Sequence, residues 1–262
     1  MSFSKWRIAQ ASVAGQSHLN QDFECQDRLL SRKIESNEGE VLIAVVADGA
    51  GSTREGGRGA EIACEIFVEQ IERFLNSRNA AVGSLNAEFG KFWVSHFQEK
   101  ILEVAKESAI DIREFASTLV GAVIGSKSAV FYQIGDGGSV FSTSGARESY
   151  RFGIQPEDAE YVNLTDFITD QTAGERVRFS KIEERIEDLI LFSDGIFPVA
   201  VDFRANKPHE PFLMPMIAPL RNLNSLNGLN GKLESFLSSA KLNEKSDDDK
   251  SILLASRAVN LS

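Results

Sequence analysis

Two unbroken apolar runs of strand length, each cut off by the dipeptide Asp-Gly, constrain this chain more than any other feature. Val41-Leu42-Ile43-Ala44-Val45-Val46-Ala47 ends at Asp48-Gly49, and Leu189-Ile190-Leu191-Phe192-Ser193 ends at Asp194-Gly195. A run with almost no polar member reads as a strand buried on both faces, so the fold must supply a covering layer on each side. A carboxylate placed immediately after such a strand is delivered to a sheet rim. The acidic triplet Asp247-Asp248-Asp249 stands just before a third apolar run that starts at Ser251, at the opposite chain end of its strand. Antiparallel neighbours would bring all three clusters to one rim.

The other elements follow from periodicity. Trp6, Ile8, Ala11 and Val13 suggest a first strand, and the second is Val41 to Ala47, followed by a glycine-rich turn from Gly49 to Gly59. Ala63, Phe67, Ile71 and Phe74 predict a helix over 61–75, and Phe89, Trp93, Phe97, Ile101 and Val104 a second over 85–107. Residues 117–125, 129–134 and 139–142 read as an antiparallel meander, with Gly135-Asp136-Gly137-Gly138 as its last turn. Residues 143–178 carry no clear period, 208–242 is helical with Asn and Gly breaks, and 251–258 is a closing strand. Strands in two groups with helices between and after them indicate layered α+β architecture.

The 262 residues contain no Pro- or Ser-rich linker, so a single domain over 1–262 is expected. Lys and Arg number 28 against 38 Asp and Glu, a net charge of −10, which argues against nucleic acid or an anionic membrane as the main partner. The longest apolar stretch has seven residues, far short of the ~20 that cross a bilayer. The N-terminus lacks the apolar run of a signal peptide, and the two cysteines, Cys25 and Cys64, are too few for a disulfide framework. A cytoplasmic location is expected.

Carboxylates gathered at one rim repel one another, and a bound cation relieves that repulsion. An all-oxygen set without a His or Cys cluster suits Mg2+ or Mn2+. Each Asp-Gly taken alone is more often a turn than a ligand, and Asp136 sits in an ordinary hairpin signal. The joint pattern favours function.

Five segments, in order, resemble the metal-dependent protein phosphatases, the type 2C serine/threonine family, over nearly the whole chain. They are VVADGAGSTREGGRGAEIA at Val45 to Ala63, Ser117 to Ala122, Ile134-Gly135-Asp136, Leu191 to Ile196, and Asp248-Asp249-Lys250-Ser251-Ile252. At the N-terminal motif, Gly15-x-Ser17-His18 before Cys25-Gln26-Asp27 resembles a bacterial branch of the family. The family's usual arginine is missing there, and Gln26 stands in place of its glutamate. Asn20-Gln21-Asp22 is a competing match to the acidic pair; Asp27 is preferred for its companion motif.

The resemblance implies a four-layer αββα sandwich of two packed antiparallel sheets, with helices 61–75 and 85–107 on one outer face and those of 208–242 on the other. It implies hydrolysis of phosphoserine and phosphothreonine in a protein substrate, at a centre of two Mn2+ or Mg2+ ions with a weaker third position. Asp48 would bridge the two ions, the Gly49 carbonyl would help bind one of them, Asp194 and Asp248 would hold the other, and Asp27 would orient metal-bound water. Asp136 with Asp194 would form the third position. His18 could contact phosphate or donate a proton, or be a structural hydrogen-bonding residue. An opposing Ser/Thr kinase is the expected partner. The missing Arg and the Gln at 26 keep open a catalytically weak regulatory or binding module, and the motifs alone also allow a hydrolase of small phosphorylated metabolites.

Overall fold

The computed structural model describes residues 5–78, 80–156, 165–221 and 228–258. In chain order the strands are β1 (Trp6–Val13), β2 (Arg28–Ser36), β3 (Gly39–Ala47), β4 (Leu119–Ile124), β5 (Ala129–Ile134), β6 (Gly138–Thr143), β7 (Ala146–Phe152), β8 (Arg178–Ile182), β9 (Ile186–Phe192), the short pair β10 (Val201–Asp202) and β11 (Lys207–Pro208), and β12 (Lys250–Arg257). The helices are α1 (Gln16–Leu19), α2 (Gly56–Arg78), α3 (Ala87–Ser108), α4 (Ala173–Arg176), α5 (Phe197–Ala200), α6 (Glu210–Arg221), α7 (Leu229–Leu237) and α8 (Ala240–Asn243). Two five-stranded antiparallel sheets, ordered β1-β12-β9-β6-β7 and β2-β3-β4-β5-β8, pack face to face. Helices cover both outer faces, giving the αββα layering.

The unbroken apolar runs become central strands, and their alternate residues serve different cores. In β3, Leu42, Ala44 and Val46 face the gap between the sheets, while Val41, Ile43, Val45 and Ala47 face α2 and α3. In β9, Leu189 and Leu191 face inward, and Ile190 and Phe192 face the layer of α6 and α7. β12 repeats the division, with Leu253 and Ala255 inside and Ile252 and Leu254 outside. A period-two pattern with both phases apolar is what a strand between two cores requires. α2 extends beyond the stretch 61–75 at both ends, whereas α3 nearly coincides with 85–107, starting at Ala87 where the Asn86 side chain caps it by accepting from the Phe89 amide at 3.0 Å.

Two features differ from expectation. β2, β7 and β8 have no counterpart in the apolar pattern; each is an edge strand carrying Arg, Lys or Glu on its half-exposed positions. Charge on an edge deters pairing with another chain, and the same charge hides the strand from a hydrophobicity reading. The expected meander is also broken. β4 and β5 pair, but β6 lies in the other sheet between β9 and β7, so Gly135-Asp136-Gly137 is a crossover between sheets and not a hairpin. Gly135 takes φ +89°, a conformation an L side chain strains to reach, and Gln133 Nε2 pins the crossover by donating to the carbonyls of Gly135 (3.0 Å) and Gly137 (2.7 Å). No helix among the described residues is long and apolar enough to cross a membrane.

Phe67 on α2 is fully buried, with its ring edge-on to Trp93 of α3 and to Tyr132 of β5. Phe67→Ala therefore opens a cavity where helix layer meets sheet, and urea unfolding should show a loss of about 3–5 kcal/mol.

Candidate metal centre

Strand register brings the aspartates together. Arg28 pairs with Ala47, so Asp27, just before β2, lies beside Asp48, just after β3. The Asp48 carbonyl accepts from the Thr118 amide at 2.8 Å, and the Asp48 amide donates to Thr118 Oγ1 at 3.3 Å. Gly49 continues that ladder as an isolated bridge to Ser117. In the other sheet Gly138 pairs with Phe192, which carries Asp136 to the side of Asp194. Ser193 and Ser251 close the β9–β12 ladder, setting Asp194 beside the Asp248-Asp249-Lys250 turn. A Cβ on residue 195 would lie 2.0 Å from the Asp249 carbonyl oxygen, so only glycine lets the two turns approach this closely.

Asp27 is 1% exposed. Its Oδ2 accepts from Ser193 Oγ at 2.7 Å, while Oδ1 is buried without a partner among the described residues. Burial, and then the neighbouring Asp249 charge, push its pKa up from 3.8 to about 6, against the hydrogen bonds from Ser193, Ser251 and Asp48 that pull it down. Asp48 is raised well above the carboxylate range by burial, followed by the charges of Asp27 and Asp194 and by a hydrogen bond shared with Asp194. Asp194 is pushed up to about 7 by burial, then by Asp136 and Asp248, and its Oδ1 is also buried without a partner. Burial and Asp249 raise Asp248 as well. Asp136 Oδ2 accepts from Thr165 Oγ1 at 2.8 Å.

Nearby cations do not neutralise this group. Arg28 Nη1 donates to the carbonyls of Cys25 (2.7 Å) and Asp27 (2.9 Å), and the fully buried Lys250 directs Nζ to the Asp248 carbonyl at 2.7 Å. The two unpartnered oxygens and the uncompensated charge are a donor set suited to a hard divalent cation. Among the described residues no three His, Cys, Asp or Glu side chains already converge on one point, so the fit rests on donor chemistry and not on a preformed cage.

Other sequence candidates take different places. Asp22 is exposed, with φ 57°, and it is Asp27 that meets Asp48. His18 is 3% exposed, and its Nδ1 lies 2.8 Å from Asp249 Oδ1. Gln26 Nε2 donates to the Thr53 carbonyl at 2.9 Å, turning its amide toward the glycine-rich loop that leads into α2. Asp249 and Ser193 are the residues sequence reasoning left without a role. Asp249 accepts from the amides of Gly15 (2.7 Å) and Gln26 (2.5 Å) and holds His18, joining three segments behind Asp248. The one signal for Ser193 is a hydroxyl at the end of an otherwise apolar strand. Burial raises both thiols, Cys25 and Cys64, far above neutrality, so neither is a thiolate nucleophile.

Raised carboxylate pKa values mean that the metal-free folded chain binds more protons than the unfolded chain between pH 3.8 and about 7. Stability of the metal-free protein therefore falls as pH rises through that window. Thermal melts should show this slope, and Asp194→Asn should flatten it, melting above wild type at about pH 8 and nearly with it at about pH 4.

Comparison with known proteins identifies the family and the fold. Residues 14–238 match the family described as Protein phosphatase 2C. Over 253 residues the chain is 32% identical to serine/threonine-protein phosphatase 3 of Escherichia coli (strain K12), an alignment covering 95% of this chain and 98% of that one. Among solved structures, a bacterial serine phosphatase superposes with TM-score 0.61 over 99% of this chain and 100% of its own, at 14% identity. A serine/threonine phosphatase from Staphylococcus aureus does so with TM-score 0.58 over 98% and 96%, at 16% identity. At those identities the solved structures share the fold.

Proposed function

This chain belongs to the protein phosphatase 2C family, and from that premise we propose that its acidic rim holds two Mn2+ or Mg2+ ions and hydrolyses phosphoserine and phosphothreonine in proteins. The chain is a serine/threonine phosphatase; the metal count, the residue roles and the partners are what the reading adds. The observation that carries it is the set of crowded buried carboxylates, two with a buried unpartnered oxygen, with which no Lys or Arg side chain among the described residues forms an ion pair.

Asp48 would serve both ions, the Gly49 carbonyl would help hold one, Asp194 and Asp248 would hold the other, and Asp136 with Asp194 would offer a weaker third position. Bound there, the cations would supply a hydroxide at neutral pH and neutralise phosphoryl oxygens. Asp27 is fixed at Oδ2 by Ser193, which leaves Oδ1 to accept a hydrogen bond from the attacking water and orient it. Water attacks phosphorus in line, the ester P–O bond breaks, and the serine or threonine hydroxyl leaves with a proton. No protein nucleophile is required, consistent with two inert thiols.

His18 is a positioning residue in this reading. Through Asp249 it holds the backbone that carries Asp248, and Gly15 and Gln26 share the same acceptor. Residues 1–262 form one phosphatase domain working in the cytoplasm opposite a Ser/Thr kinase, on phosphorylated protein substrates.

The test is phosphate release from a phosphothreonine peptide, with manganese and with EDTA. Wild type should need the metal, and Asp194→Asn should lose more than the ~10–100-fold that removing a residue behind a metal ligand costs. Absence of release from folded wild type at any manganese or magnesium concentration would overturn the reading. His18→Ala should fall within that ~10–100-fold range and should need more manganese for half-maximal rate, whereas a residue touching substrate alone would leave the manganese requirement unchanged.

A further inference from the structure

A cavity of ≈470 Å³ opens between α6, α7 and α8, above the outer face of β1 and β12. Ala9 and Leu254 contribute to its lining from the sheet, and Met216 and Leu233 from the helices. The sequence of α6 explains why the helices do not close it. Pro211, Pro215 and Pro219 recur at four-residue spacing along one face, and all three line the cavity. A proline inside a helix has no N–H for the carbonyl four residues back and presents a stiff ring that no rotamer change can swing into the space, while α6 and α7 meet beside the cavity through Phe212 and Phe236, ring centroids 6.0 Å apart.

The charge at the cavity is as distinctive as its shape. Its ionisable lining residues are Lys232, Lys241 and Lys245, all exposed, in a chain of net charge −10. Lysine stems lie along apolar walls while their ammonium heads stay in water. An apolar interior with cationic heads at its mouth matches a ligand with an aliphatic body and an anionic head. The volume lies within the ~300–1,000 Å³ of small-molecule sites, room for a medium-length aliphatic chain.

We propose that this cavity is a binding site for aliphatic carboxylates, with the chain against Ala9, Leu233 and Leu254 and the carboxylate at the lysine rim. The site is separate from the acidic rim, and its occupancy is read without reference to phosphatase activity.

Calorimetric titration of the intact chain with sodium dodecanoate, below its micelle-forming concentration, should show one saturable site per chain. Leu233→Trp and Met216→Trp fill the cavity from different helices, and each should lower affinity at least about tenfold, with cooperative melting showing that the fold is kept. Lys241→Glu combined with Lys245→Glu, on exposed positions where folding is not at stake, should weaken binding about tenfold at low salt and less as salt rises. Dodecyltrimethylammonium, the same tail with a cationic head, should bind at least about tenfold more weakly than dodecanoate. Lack of saturable dodecanoate binding, binding that a folded tryptophan variant leaves unchanged, insensitivity to the lysine reversals, or equal affinity for the cationic tail overturns the proposal.

Discussion

Repulsion among Asp27, Asp48, Asp194 and Asp248 is the interaction around which the rest of this molecule is arranged. Burial removes the water that would screen them, and the charges of Asp27, Asp194 and Asp248 raise the proton affinity of Asp48, as those of Asp136, Asp248 and Asp27 raise that of Asp194. They arrive from separate segments, so no local rearrangement of one loop relieves the group. What holds them is the register of two sheets, whose central strands β3, β9 and β12 are buried throughout. The apolar sandwich stabilises a rim that would otherwise spring apart.

The opposite end of the same sheet shows what the fold does with a carboxylate it intends to neutralise. Asp188, fully buried in β9, accepts from Ser142 and Ser256 and is paired with Arg221 at 2.5 Å and Arg147 at 3.7 Å. Every acceptor site there meets a hydroxyl or a guanidinium. At the acidic rim, Arg28 and Lys250 are next to the carboxylates in sequence, yet they donate to backbone carbonyls. Within one strand and its extension, one carboxylate is compensated by protein and the other, Asp194, keeps a buried oxygen without a partner among the described residues.

Behind the rim, a second and quieter constraint fixes where Asp248 sits. Asp249 gathers Gly15, His18 and Gln26, while the Asp247 carbonyl accepts from the Ser17 amide and hydroxyl at 2.9 Å. The N-terminal motif and the C-terminal acidic triplet are thus one structural unit made from the two ends of the chain. This gives a physical reason for His18 to accompany the acidic triplet.

The sequence by itself determined the central strands, the two long helices, the apolar covering layers and the delivery of Asp48, Asp194 and Asp248 to strand ends. Those are properties of local periodicity, where an apolar phase leaves its mark within a few residues. It was silent on β2, β7 and β8, because an edge strand is marked by charge and not by an apolar phase. Only the tertiary structure decided that Asp136 reaches the rim by crossing between sheets, that Asp27 and not Asp22 meets Asp48, and that His18 is spent on Asp249. Those outcomes depend on which segments meet and in which register, and a pairing partner elsewhere in the chain leaves no trace in the spacing of either segment.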